Sequence, residues 1–138
     1  VRRDIETTLL PLCRKNAVSV LSYSSLALGL LSGKVGPERV FAQDDQRNGN
    51  PRFSQANREK IARLMHALEP VAEAHGASIA QVVIAWTIAQ PGITFSLCGA
   101  RDPAQAVENA AAARLRLTDG ELALISAGVA EHLVGLDA

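Results

Sequence analysis

Apolar residues recur at helical spacing along most of this chain, and two short runs break that period. From Asn57 to His75, Ile61, Leu64, Met65, Leu68, Val71 and Ala72 fall at three- and four-residue steps. This predicts an amphipathic helix, kinked or divided by Pro70 and stopped by Gly76. Ser78 with Gln81 three residues later is a capping box, opening a helix through Val82, Val83, Trp86 and Ile88 to a Pro91-Gly92 stop. Asp4 to Asn16, with Ile5, Leu9 and Leu12 in register, predicts a first helix that Asp4 caps and Pro11 ends or kinks. Asp102-Pro103-Ala104-Gln105 starts another, with Asp102 as N-cap, Pro103 as the first helical residue and Gln105 reaching back. Thr118-Asp119-Gly120-Glu121 is a further capping box before Leu122, Ile125 and Val129.

The two exceptions are Ala17 to Tyr23, read as a buried strand of five or six residues, and Ile93 to Leu97, a second short strand. Strands separated by helices imply parallel pairing and an α/β class. Between Gly36 and Ser54 no period is sustained, and Gly, Pro, Asn, Asp and Gln crowd together, which marks a long loop.

Composition narrows the function classes. The chain has 138 residues, 48% hydrophobic and 20% charged, with fourteen Lys+Arg balancing fourteen Asp+Glu. That is the composition of a globular domain without the basic excess of a nucleic-acid binder. Aromatic residues at 4% are too few for base-stacking platforms. Apolar runs are broken well short of the ~20 residues of a membrane span. Two cysteines, Cys13 and Cys98, do not make a disulfide framework, and the simplest home is the cytoplasm.

The strand-turn-helix unit at 93–113 is the most informative local feature. A helix that starts directly after a strand directs its end amides past the strand's carboxyl end, where the helix dipole favours an anion. Gly99 and Ala100 add no bulk there, and Arg101 adds a fixed charge with bidentate geometry, which suits a phosphate. The same unit also occurs without a ligand. If the two strands are parallel neighbours, the Tyr23-Ser24-Ser25 turn lies on the same side.

Taken together, the two turns are recognisable. Tyr23-Ser24-Ser25-Leu26-Ala27-Leu28-Gly29-Leu30-Leu31-Ser32-Gly33-Lys34 resembles the Tyr-Ser-Pro-Leu…Gly-Leu-Leu-Thr-Gly-Lys motif of aldo-keto reductases. Cys98-Gly99-Ala100-Arg101-Asp102-Pro103-Ala104-Gln105-Ala106-Val107-Glu108-Asn109 resembles the later Pro-Gly-Ala-Arg-x-Pro-x-Gln-x-x-Glu-Asn motif of that family. Arg47, Pro51-Arg52-Phe53 and the run from Ala72 to Gly92 fit in the same order, so the resemblance covers the chain to about residue 130.

The resemblance implies the C-terminal part of a (β/α)8 barrel, mostly helical with two parallel strands matching the seventh and eighth. It also implies binding of NADP(H) and reduction of aldehydes or ketones. By position, Tyr23 stacks under the nicotinamide, and Ser24, Leu26 and Gly29 run along the pyrophosphate. Gly99 and Ala100 pass the adenosine side, with Arg101 on the 2′-phosphate. Gln105, Glu108 and Asn109 face the adenosine, Asn109 on the adenine ring. Their spacing of three and four puts all three on one helical face. Two prolines of the pattern are absent: Ser25 and Cys98 stand in their places.

The family's catalytic Tyr, Lys, Asp and His come from earlier barrel strands, and no segment here matches them. Tyr23 matches the stacking ring instead, and Lys34 is not the catalytic lysine. A full barrel takes ~250 residues. The expectation is therefore a C-terminal, cofactor-binding portion that is inactive alone, and a first residue Val1 in place of Met fits it. The alternative is a non-catalytic NADP(H)-binding module, regulatory or self-associating through open strand edges. His66, His75 and His132 are read as surface or helix-end residues without acidic partners at ligand spacing, so no metal site is expected. Trp86 is read as core packing, and Arg47 and Arg52 as part of a solvated loop.

Overall fold

The computed structural model describes residues 3–133 together with 135 and 136. A 3-10 turn at Asp4–Glu6 precedes α1 (Leu9–Lys15), and β1 is Leu21–Tyr23. After a long loop come α2 (Gln55–Ala74) and α3 (Ile79–Ala89), then β2 (Phe95–Leu97), α4 (Pro103–Ala111) and α5 (Asp119–His132).

The first predicted helix splits at Thr7-Thr8, and Pro11 sits in the first turn of α1. There a proline costs nothing, because the amides of that turn have no helical acceptor. Asp4 makes no cap. Leu10 is the buried residue of α1, whereas Leu9 and Leu12 of the expected face are exposed. Leu10 faces Gly92 (φ +100°), and a Cβ there would lie 3.0 Å from Leu10 Cβ.

Pro70 lies inside a single continuous α2 of 20 residues. The six apolar positions expected to share one face are all buried, from Ile61 to Ala72. The helix ends in a Schellman arrangement on Gly76 (φ +55°): the Ala77 amide donates to the Ala72 carbonyl at 2.9 Å and the Gly76 amide to Glu73 at 3.0 Å. Both capping boxes form as predicted, Ser78 with Gln81 and Thr118 with Glu121.

The core lies where α2 packs against α3 and α5. Leu30, Ile61, Leu64, Leu68, Val82 and Ile125 are almost fully excluded from solvent. Trp86 packs on its edge and donates its indole N–H to Ser126 Oγ at 3.2 Å. No single helix among the described residues is long and apolar enough to cross a membrane, and α2 and α3 meet at 90°.

β1 and β2 pair in parallel, with Leu21 opposite Phe95, Ser22 opposite Ser96 and Tyr23 opposite Leu97. Each strand is three residues long, shorter than expected, and Ala17, where the first strand was expected to begin, takes a left-handed φ of +53°. The sheet is also not buried as expected. Leu21, Tyr23, Phe95 and Leu97 all point to one face and are at least half exposed. Side chains alternate across a strand, so Ser22 and Ser96 occupy the other face, half-buried.

Candidate functional site

The parallel register brings the carboxyl ends of β1 and β2 to one edge. Tyr23 closes β1 and is 83% exposed, so the ring presents an open aromatic surface. Ser24 follows in the left-handed region (φ +57°), as do Ala27, Leu28 and Gly29. These conformations coil the loop tightly and bury Ala27, Leu30 and Leu31 in the core. The Gly29 carbonyl accepts from Ser32 Oγ at 2.6 Å.

Beyond β2, Gly99, Ala100 and Arg101 are exposed. A Cβ on Gly99 would meet nothing within 4 Å. The Arg101 guanidinium makes no hydrogen bond or ion pair with the described residues, and its charge contributes to lowering the Asp45 carboxyl.

The start of α4 differs from the expected array of free amides. Asp102 Oδ1 accepts the Gln105 amide at 2.8 Å, and Gln105 Oε1 accepts the Arg101 amide at 3.1 Å. Pro103 has no amide hydrogen. A carboxylate already sits in the field of this helix end, so attraction for a phosphate rests on the Arg101 side chain.

Gln105, Glu108 and Asn109 form the half-buried stripe of α4, as their spacing predicts. They turn to different neighbours. Asn109 Nδ2 donates to the Gly99 carbonyl at 3.1 Å, tying the helix to the open turn. Glu108 accepts from Ser78 Oγ at 2.7 Å and from Lys34 Nζ at 3.4 Å. Glu108 therefore links α4 to the start of α3 and to the end of the Tyr23 loop.

The 36–54 loop is not simply a solvated connection. Arg47 holds Asp45 through two side-chain contacts, at 2.8 and 2.5 Å, and lies 4.6 Å from the Phe41 ring centre. Hydrogen bonds from Arg47 bring the Asp45 carboxyl down to about 2. Phe41 and Phe53 meet edge-to-face at 5.5 Å, and Arg58 Nη1 donates to the carbonyls of Gly36 and Arg39. The loop borders a cleft of about 490 Å³ together with the start of α2. Sequence reasoning missed this cluster, because aperiodic residues carry no signal of which charges meet.

His66 contacts Glu69 at 2.8 Å and His75 contacts Glu121 at 2.9 Å, acidic neighbours the sequence reading did not assign. Among the described residues no three His, Cys, Asp or Glu side chains converge to hold a metal ion.

An exposed aromatic ring, a turn without side-chain bulk and a free guanidinium on one edge fit a nucleotide. Comparison with known proteins gives the arrangement a family, since the aldo/keto reductase family profile matches residues 1–129. The chain belongs to the aldo/keto reductase family. It is 35% identical over 104 residues to the aldo-keto reductase YhdN of Bacillus subtilis, covering 75% of this chain and 31% of that protein. It is 32% identical over 123 residues to an NADH-specific methylglyoxal reductase of Escherichia coli, 89% of this chain and 37% of that protein. Among solved structures, the glycerol dehydrogenase AKR11B4 from Gluconobacter oxydans superposes with a TM-score of 0.86 at 32% identity, over 99% of this chain and 42% of that one. The chain thus spans about a third of the length of the curated aldo/keto reductases it matches. Its helices and two-stranded parallel sheet correspond to part of that barrel.

Proposed function

We propose that this chain is the cofactor-gripping, C-terminal portion of an aldo/keto reductase that reduces aldehydes or ketones with NADP(H). The observation that carries this reading is the parallel pairing of β1 with β2, which puts the Tyr23 loop and the Gly99-Ala100-Arg101 turn on one edge. Tyr23 offers its exposed ring to the nicotinamide, and Ser24, Leu26 and Gly29 line the pyrophosphate. Gly99 and Ala100 admit the adenosine side. Arg101 pairs with the 2′-phosphate through bidentate, charge-assisted hydrogen bonds. Gln105, Glu108 and Asn109 border the adenosine, with Asn109 at the adenine ring. The cofactor supplies the hydride when bound; these residues bind and orient it.

No residue here matches the groups that polarise the carbonyl oxygen, so the chain by itself is proposed to be inactive. Its two cysteines are both free, which fits a cytoplasmic setting. Titrating the chain with NADPH by calorimetry tests the binding reading, and saturable one-to-one binding is expected. Adding the remaining barrel strands of a relative in trans tests the catalytic reading, through carbonyl-dependent NADPH oxidation. The exposed apolar face formed by Leu21, Tyr23, Phe95 and Leu97 favours a second reading, a self-associating module without turnover. Binding without any complemented activity, in an oligomer by sedimentation, selects it.

A further inference from the structure

Ser25 and Cys98 stand where the family pattern carries proline in each of its two turns, and one side chain joins them. Ser96 Oγ lies 2.6 Å from Ser25 Oγ and 3.6 Å from Cys98 Sγ. Ser25 Oγ in turn lies 3.5 Å from Ser22 Oγ, which donates to the Phe95 carbonyl at 3.2 Å. All four side chains are half-buried on the sheet face opposite Tyr23.

Counting donors gives one consistent head-to-tail order. Ser22 has one hydroxyl proton, committed to the Phe95 carbonyl, so Ser25 donates to Ser22. In that order Ser96 donates to Ser25 and the Cys98 thiol to Ser96; the reverse order, from Ser25 through Ser96 to Cys98, joins the same two turns. The first order is a head-to-tail chain from Cys98 to a backbone carbonyl, in which each link polarises the next. A proline stiffens a turn by restricting its own φ and acts on its own segment. A hydroxyl chain that crosses between strands fixes one turn against the other.

We propose that Ser25, Ser96 and Cys98 form a strut coupling the Tyr23–Gly29 loop to the Gly99–Arg101 turn, and that they are positioning residues for the dinucleotide. The dinucleotide role rests on the cofactor reading above. The strut holds the stacking ring and the guanidinium at one spacing, so that one bound dinucleotide can engage both.

Amide hydrogen exchange by NMR on the 138-residue chain reads the coupling directly. Ser25→Ala is expected to speed exchange at Arg101, whose amide is held by Gln105 Oε1, 76 positions along the chain, by about fivefold, the scale of one neutral hydrogen bond. Ser96→Ala should speed exchange in both turns. Ser96→Thr, which keeps the hydroxyl on a residue suited to a strand, should restore both. Acceleration confined to the mutated loop overturns the strut.

NADPH titration reads the positioning. Ser25→Ala and Ser96→Ala should each raise Kd about fivefold, and the double variant no more than either alone, because both cut one chain. Multiplying effects, roughly 25-fold, overturn the shared chain, and an unchanged Kd overturns the positioning role. Failure of the unmodified chain to bind any dinucleotide overturns the cofactor reading alone, since exchange still decides the strut.

Discussion

His75 Nε2 lies 2.9 Å from Glu121 Oε1, joining the C-terminal cap of α2 to the first turn of α5. The other oxygen, Oε2, accepts from the Thr118 amide at 2.7 Å and the Thr118 hydroxyl at 2.9 Å. One carboxylate therefore caps a helix and clamps two elements of the core together.

That clamp predicts an acid limit. Hydrogen bonds from Thr118, amide first, and then His75 hold the Glu121 carboxyl below its ordinary value of 4.5. A group whose folded value is depressed contributes stability above the unfolded value and loses it as pH falls through the folded one. Melting temperature should accordingly drop as pH falls below 4.5. Glu121→Ala should lower the melting temperature at neutral pH and flatten the acid slope. An acid slope equal to that of the unmodified chain would count against the clamp. Thr118→Ala removes the cap itself and should cost about 1 kcal/mol, a fall of roughly 3–5 °C.

The Asp45–Arg47 pair predicts how the 36–54 loop behaves. Asp45 titrates at about 2 rather than at 3.8, mainly because Arg47 donates to it. Its contribution is present above 3.8 and is lost as pH falls toward 2. Asp45→Asn removes the charge at every pH and frees the Arg47 side chain from its anchor. Trypsin should then cleave after Arg47 several-fold faster, with the band pattern read by mass spectrometry. Equal cleavage rates would mean that the Phe41–Phe53 contact holds the loop without the ion pair.

Gly92→Ala is expected to destabilise the chain by about 1–3 kcal/mol. Its φ of +100° is unfavourable for any side chain, and the new Cβ would meet Leu10 Cβ at 3.0 Å, an atom fixed to the α1 backbone. Chemical denaturation measures this as a lower midpoint with an unchanged slope. By contrast Gly99→Ala, where a Cβ meets nothing within 4 Å, should leave the midpoint close to that of the unmodified chain.

Arg101→Ala separates the two nicotinamide cofactors. Removing a free guanidinium opposite a phosphate should weaken NADPH by roughly 10–100-fold, the scale of charge-assisted hydrogen bonds, and leave NADH within about twofold. Calorimetric titration with each cofactor checks it. Equal losses for both would move Arg101 from the 2′-phosphate to a part of the nucleotide that the two share.

Local chemistry was readable from residues alone wherever an element's signal lies within one or two turns of chain. The caps at Ser78, Asp102 and Thr118, the stop at Gly76 and the buried stripe from Ile61 to Ala72 all stand as their spacing predicts. The failures have physical causes. Spacing predicts that Pro11 ends or kinks its helix, because it cannot distinguish a first turn, where proline is harmless, from an interior one. Val18, Val20 and the small residues beside them suggest a buried first strand; exposure depends on what covers it, and Val18 and Leu21 stay open in this chain. The amides at the start of α4 were read as free for an anion, although the Asp102 cap that the same residues predicted occupies that end.

By itself, then, the sequence determined the helices, their caps and, through two paired motifs, the family. These depend on neighbours close along the chain or on residue identity in fixed order. Only the tertiary structure decided which polar side chains meet, since His75 with Glu121, Ser25 with Ser96 and Lys34 with Glu108 lie 46, 71 and 74 residues apart. Contacts at such separations are set by packing of the core and the parallel register of two short strands, and no local period encodes them.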